Sequence, residues 1–398
     1  MKWASAFSEG ASCEKSVERS VQAIRNQMGE GPIDLAFLFV SSHYQSDYET
    51  LPSRVGEALG CEALVGCSAG GVIGGGREME RRQAMSLTAA RLPGVEVRPF
   101  HLDNSDLPDL DASPKKWQAR FQPEPSTSQS PPHFVLLADP FSFDAEKGLM
   151  GLDFAYPNAV KVGGLASGGR DLGQNGLFLN QKTYRSGMVG VALSGNIQID
   201  TIVAQGCRPI GAPLSITKCD RNLLIEIDHQ SPLTLLQELY DRLNEEDQPL
   251  MRHSLFIGVA MTPFKENPSR GDFLIRNLLG MDSKSGALAV GAILREGQTV
   301  QFHLRDAATS AEELQWLLTR YQTEGGPRSA SGALLFSCLG RGEHLYGKPD
   351  HDTSLFQAKI GPIPVGGFFC NGEIGAVGGA TFLHGYTSCF GIFKPFTG

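Results

Sequence analysis

Gly332 to Phe393 reads GALLFSCLGRGEHLYGKPDHD (332–352), KIGPIPVGGFFCNGEIGAVGG (359–379) and ATFLHGYTSCFGIF (380–393). Three apolar strands are expected in it: Ala333 to Phe336, Pro364 to Phe369 and Thr381 to Phe393. Each runs into glycine beside Cys, Arg, Glu, Asn or His. Glycine has no Cβ, so such strand ends let backbone approach a bound ligand closely. Leu64 to Gly76, LVGCSAGGVIGGG, has the same character. Two glycine-lined regions so far apart in sequence predict one cleft built from both halves of the chain.

Working outward, 398 residues exceed one ordinary core and set a prior of two domains. The 41% hydrophobic and 20% charged residues are globular composition, and 47 glycines predict many tight turns. A net charge of −8 and a pI near 5.6 argue against nucleic acid as a partner, because a phosphate-binding surface concentrates Lys and Arg. No apolar run approaches the roughly 20 residues of a bilayer span, and MKWASAFSEGASCEK meets charge before any signal-peptide core. No membrane insertion and a cytoplasmic location are expected. The eight cysteines contain no C-x-x-C pair, so most read as small buried apolar residues. A metal site from Cys338, Cys370, Cys389 and His384 is the minority reading; no metal and no cofactor are expected.

In chain order, Trp3 to Phe7 reads as a strand. A helix follows, with Val17, Val21, Ile24 and Met28 on one face, Ser12 as N-cap and Gly29 as stop. LAFLFVSS (35–42) is apolar throughout and predicts a strand buried on both faces. A helical segment around Leu51, Val55 and Leu59 leads to a strand at Ala63 to Gly66. Ala84 to Arg91 and Val95 to Leu102 read as a hairpin across Leu92-Pro-Gly. Residues 104–132, ending QPEPSTSQSPP, read as a mobile connection. The pattern then returns: HFVLLADPFSF parallels LAFLFVSS, VGGLASGG (162–169) parallels VGCSAGG, and 187–206 parallels 86–102. The last 70 residues resemble the unit once more, so copies of one β-α-β-β unit are expected to pack together. Between them lie a helix opened by Ser231 and Pro232, carrying Leu233, Leu236, Tyr240 and Leu243, and one opened by a Ser310/Glu313 capping box. A domain boundary is expected near residue 222. The fold class is α/β (α+β): two domains of repeated units, with helices layered on mostly antiparallel sheets.

Gly66-Cys67-Ser68-Ala69-Gly70 matches a nucleophile elbow, but an elbow needs a helix directly after the serine and GVIGGG is a poor helix start. Gly342 to Lys348 has P-loop spacing, but Pro349 replaces the hydroxyl that would hold magnesium, so a turn is expected. Cys338-Leu-Gly-Arg341-Gly is the stronger local signal: an Arg between glycines can offer its planar fork to a carboxylate. Glu373 at a similar strand end can hold an ammonium, and the two together suit an amino-acid zwitterion. Each also has a plain reading, as a solvated turn residue or as partner of the other.

GCSAGGVIGGG with SLTAARLPGV in the first half, and GALLFSCLGRG, PVGGFFCNGEIG and LHGYT in the second, resemble the FIST family, N domain then C domain. The resemblance implies an intracellular sensory module that binds small ligands, amino acids among the candidates, with no catalytic mechanism attached. It assigns residues 1–222 to a FIST N-like and 223–398 to a FIST C-like domain. With no F-box, kinase or cyclase segment, a separate signalling protein is the expected partner. The family supplies no ligand contacts. On the physical reading the candidates are Gly66, Cys67, Ser68, Gly70, Gly71, Ser167, Cys338, Gly340, Arg341, Gly342, Gly367, Cys370, Asn371, Glu373 and His384. The enzyme alternative would use Cys338, Cys67 or Ser68 as nucleophile, acting on a small carboxylate. Cys338 has Arg341 nearby to favour a thiolate, whereas Cys67 has no basic neighbour in sequence.

Overall fold

The computed structural model describes residues 1–10, 12–121, 130–261 and 271–396. The first repeat runs β1 (Lys2–Glu9), α1 (Cys13–Met28), β2 (Ile33–Ser41), α2 (Leu51–Leu59), β3 (Cys61–Ala69), β4 (Gly71–Gly74), β5 (Arg77–Glu80) and β6 (Ala84–Arg91). The second runs β7 (Val95–Leu102), α3 (Pro114–Phe121), β8 (His133–Ala138), α4 (Ala145–Ala155), β9 (Lys161–Leu165), β10 (Leu177–Leu179), β11 (Lys182–Tyr184) and β12 (Met188–Gly195). A third begins with β13 (Gln198–Ala204) and is interrupted. The interruption comprises β14 (Cys207–Asp220), β15 (Leu223–Ile227), α5 (Pro232–Arg242), α6 (Asp247–His253), β16 (Leu255–Ala260), β17 (Phe273–Met281), β18 (Leu288–Val290) and β19 (Thr299–Arg305). The third repeat resumes with α7 (Ala307–Thr323), β20 (Gly332–Cys338), α8 (Glu343–Tyr346), α9 (His351–Ile360), β21 (Val365–Cys370), β22 (Glu373–Val377), β23 (Ala380–His384) and β24 (Ser388–Lys394).

The three repeats share one topology. Their sheets read β1-β6-β2-β3-β10-β11, β7-β12-β8-β9-β22-β23 and β13-β24-β20-β21-β4-β5. In each, four strands come from one repeat, the two central ones are a parallel pair, and the last two are a hairpin borrowed from another repeat. The loan is cyclic: the first repeat lends to the third, the second to the first and the third to the second. Each borrowed hairpin covers a strand edge that would otherwise be left with unpaired N–H and C=O groups.

β2 shows why its run is apolar throughout. Leu35, Phe37 and Phe39 enter a core shared by all three sheets, while Ala36, Leu38 and Val40 pack under α1 and α2. In the same way β8 sends Val135 and Leu137 inward and Phe134 and Leu136 outward beneath α3 and α4. In the third sheet Leu334 and Phe336 point inward, and Phe390 stacks on Phe356 of α9 on the outer side. The end signals of α1 hold: the Ser12 hydroxyl accepts from Lys15 N at 3.3 Å, and Gly29, at φ 72°, donates to Arg25 O at 2.8 Å.

Several expectations are corrected. β6 and β7 are not a hairpin; the Leu92 to Val95 turn carries the chain from one sheet into another, because β6 is already paired with β1 and β2. Thr381 to Phe393 divides into β23 and β24, which belong to different sheets. Residues 104–121 are not a mobile connection: a short 3₁₀ turn at Asn104–Asp106 precedes α3, which buries Trp117 and Phe121 completely. Residues 122–129 of that segment lie outside the described residues. α7 begins before Ser310, with the Asp306 carboxylate accepting from Thr309 N at 2.7 Å. Ser310 and Glu313 instead clamp the backbone of Gly206 from within the helix.

Residues 1–204 with 315–398 form one compact unit, and Gln205–Leu314 a second. The second is a closed six-stranded barrel, β14-β15-β18-β17-β16-β19, around Ile257, Phe302, Leu304 and their neighbours. Ser231 caps α5 as its sequence predicts, accepting from Thr234 N at 3.3 Å. Position 222 falls in the turn between β14 and β15 of this barrel, and the chain from 315 onward returns to the first unit. Composition gave no sign of this, because an inserted barrel carries the same strand patterning as the frame around it.

Candidate functional site

The carboxyl ends of β3, β9 and β21 hold most of the candidate residues, and all three lie in the first unit. Register makes Gly66, Gly163 and Gly367 equivalent: they stand opposite Leu38, Leu136 and Leu335 on the parallel partner, and opposite Phe178, Ile374 and Ile73 on the borrowed hairpin. A Cβ at these glycines would lie 1.9, 1.8 and 1.9 Å from the carbonyl oxygens of Leu38, Leu136 and Leu335. The repeated glycine is therefore required by strand packing, not by a ligand.

Two to four residues further on, the repeats join end to end. Ser167 N donates to Ser68 O at 3.2 Å and Asn371 N to Leu165 O at 3.0 Å. The third junction runs through a side chain: Gly70 N donates to the Ser167 hydroxyl at 2.9 Å, and that hydroxyl donates to Phe369 O. The structure thus brings Gly70, Ser167, Cys370 and Asn371 to one place, with Asn371 and Leu339 reaching the surface. The loops meet in contact, since a Cβ on Gly70 would lie 2.6 Å from Leu339 Cδ2. Gly71 is packed as closely, its Cβ position lying 2.8 Å from the Phe369 ring.

Ser68 is fully buried and is followed by the β4–β5 hairpin rather than a helix. Its hydroxyl donates to Asn175 Oδ1 at 3.0 Å and accepts from Gly176 N at 3.0 Å. Asn175 Nδ2 in turn donates to Asp139 Oδ1 at 2.8 Å. An amide cannot take a proton from the serine, so this buried chain braces the junction and does not make an activated nucleophile. Cys67 is also fully buried, and burial pushes its thiol well above the usual range. Cys338 differs: it is partly exposed, and its sulfur accepts from Gly340 N at 3.5 Å.

Arg341 is neither a contact open to a ligand, nor a solvated turn residue, nor a partner of Glu373. The residue is fully buried, and its fork is met by Asp352, with Nε to Oδ2 at 3.0 Å and Nη2 to Oδ1 at 3.3 Å. Nη1 donates to Tyr386 O at 3.3 Å and Nη2 to the Tyr346 hydroxyl at 2.5 Å. The carboxylate anticipated from a ligand is thus supplied by the protein. Burial alone would push the Asp352 carboxyl up; the guanidinium and the His351 hydrogen bond outweigh it and hold the carboxyl well below its usual range. Glu373 is likewise buried, not a solvated turn residue, and its Oε2 accepts from Thr387 N at 3.0 Å. His384, its cross-strand neighbour, has Nε2 3.1 Å from Gly375 O. Among the described residues no group of three or more His, Cys, Asp or Glu is placed to hold a metal ion.

Sequence reading missed the polar tie between the first repeat's hairpin and the third repeat. Glu78 Oε1 accepts from Thr353 N at 2.8 Å, Asp350 Oδ1 from Glu78 N at 2.6 Å, and Glu80 Oε1 from Glu343 N at 2.7 Å. In the sequence Arg77 to Glu80 reads only as charge within a turn-rich stretch. The even spacing of Glu78 and Glu80 was the one available signal that both carboxylates share a strand face.

Three repeats with exchanged hairpins and glycine-lined strand ends define an internally repeated α/β protein, and family comparison names the class: the chain belongs to the FIST family. The FIST N domain matches residues 34–230 and the FIST C domain residues 232–376. FIST domains are associated with sensory and signal-transduction roles. An uncharacterised protein of Mycobacterium tuberculosis is 35% identical over 369 residues, 93% of each chain. One of Mycobacterium bovis is 34% identical over 380 residues, 96% of this chain and 95% of that one. An F-box/LRR-repeat protein of Arabidopsis thaliana is 23% identical over 233 residues, covering 50% of this chain and 43% of its own. No helix among the described residues is long and apolar enough to cross a membrane.

Proposed function

We propose that this protein is a cytoplasmic small-ligand receptor of the sensory type, with an amino acid as the candidate ligand and a separate signalling protein as its partner. The observation that carries the reading is the convergence, at the carboxyl ends of three parallel strand pairs, of the loops that follow them, the place where open α/β sheets bind ligands. Gly70, Ser167, Cys338, Gly340 and Asn371 are the contacts assigned to the ligand. Arg341 and Glu373 act one step away: the Arg341–Asp352 pair fixes the Leu339 to Gly342 turn, and Glu373 fixes the segment at Thr387. A ligand carboxylate here competes with Ser68 O, Leu165 O and the Ser167 hydroxyl for the loop N–H groups. Native mass spectrometry of freshly purified protein, followed by calorimetry with the twenty amino acids, is the test. A bound mass released on denaturation, or one amino acid binding with an affinity lowered at least tenfold by Asn371→Ala, is the expected result. No bound mass and no binding heat for any amino acid would remove the reading.

A further inference from the structure

Cys338 and Cys370 are the last residues of two adjacent parallel strands and stand directly opposite each other in register. Their side chains share a face. Phe336 and Phe368, two residues earlier on the same strands, both enter the common core, and Cys370 is a member of that core. Adjacent strands lie about 4.8 Å apart, inside the about 4.4 to 6.8 Å window of Cα separations that a disulfide bridges. The two Cβ vectors run side by side on one face, so the Cβ atoms lie about as far apart as the strands, about 4.8 Å, just beyond the about 3.5 to 4.5 Å that an unstrained disulfide spans. A bond between them is therefore strained and readily reduced, which is the character of a regulatory rather than a structural disulfide. Exposure divides the roles. Cys338 is partly exposed at the strand end, with Gly340 N–H directed at its sulfur, whereas Cys370 is completely buried.

We infer that Cys338 and Cys370 form a reversible peroxide-sensitive thiol pair, with Cys338 reacting first and Cys370 resolving. The Cys338 thiolate attacks one oxygen of hydrogen peroxide; the O–O bond breaks, and hydroxide leaves and takes a proton to become water. The Cys370 sulfur then attacks the sulfur of the Cys338 sulfenic acid. The S–O bond breaks, hydroxide departs with the Cys370 proton as a second water, and the S–S bond forms. Two thiols lose two electrons in total and one peroxide gains them. The bond pins the ends of β20 and β21, and with them the turn at Leu339 to Gly342 and the loop at Asn371 to Glu373. Oxidation then reports on the same junction that joins the repeats, whether or not an amino acid binds there.

The test uses the full-length chain, reduced and then exposed to equimolar hydrogen peroxide. Alkylation after denaturation and peptide mapping without reductant should show two fewer alkylated cysteines and a Cys338–Cys370 linked peptide, both restored by dithiothreitol. Cys338→Ser should abolish the linked peptide. Cys370→Ser should leave Cys338 as a sulfenic acid trapped by dimedone. The wild-type map decides the matter even where a variant fails to fold. Full alkylation after peroxide, Cys338 oxidised to sulfinic acid without cross-linking, or a link from Cys338 to Cys67 or Cys389 would each overturn the inference.

Discussion

Glu78→Gln tests the electrostatics of the tie between the first and third repeats. Glu78 is buried on β5; burial first, then the nearby Asp352 charge, push its carboxyl from the ordinary 4.5 up to about 8. It is held protonated at neutral pH, beside Asp350 and Asp352 and within reach of the Arg341–Asp352–His351 cluster. The sign follows from proton counts. Between pH 4.5 and about 8 the unfolded chain has released the Glu78 proton and the folded chain has kept it, so stability falls as pH rises through that window. One proton gives a slope of at most about 1.4 kcal/mol per pH unit, and the window sets a ceiling of about 5 kcal/mol. Coupling to Asp352 spreads the titration, and we expect about 2 to 3 kcal/mol between pH 5 and pH 8. Glutamine keeps the acceptor for Thr353 N and cannot ionise, so Glu78→Gln should remove this part of the slope while leaving stability at pH 5 nearly unchanged. Thermal unfolding of both proteins from pH 5 to pH 8 measures it. The wild-type midpoint should drop by about 2 to 4 °C more than that of the variant over this range. Parallel curves would refute a protonated Glu78, and a variant much less stable at pH 5 would refute the hydrogen-bond geometry.

Two further outcomes follow from burial. Arg341→Lys keeps the charge but loses the fork that meets Asp352, Tyr346 and Tyr386 inside the protein, so denaturant unfolding should show a loss of about 3 kcal/mol; an unchanged midpoint would return Arg341 to the surface role expected from its sequence. Gly163→Ala puts a Cβ 1.8 Å from Leu136 O and should give insoluble or unfolded protein in expression trials, whereas Gly56→Ala in α2, where nothing lies within 4 Å, should fold and melt at the same temperature or slightly higher; soluble, cooperatively melting Gly163→Ala would contradict the strand geometry.

The sequence by itself determined the local elements and the existence of the repeat. Val17, Val21, Ile24 and Met28 marked the buried face of α1, the unbroken apolar run at 35–42 marked a strand with two covered faces, and Gly66, Gly163 and Gly367 recurred because each passes too close to a neighbouring carbonyl to carry a side chain. These are consequences of period and of steric contact within a strand or two, so they can be read from spacing. Only the tertiary structure decided where each strand is paired. Local pattern is the same whether β6 turns back on itself into a hairpin or hands the chain to another sheet, and nothing in RLPGV distinguishes the two. The same limit hid the exchange of hairpins and the insertion of the barrel. It also reversed the meaning of Arg341. An arginine between glycines offers its fork to a carboxylate, as its sequence indicates, but whether that carboxylate comes from a ligand or from Asp352, eleven residues on, depends on how α9 returns across the sheet, which is fixed by long-range packing of Phe356 on Phe390.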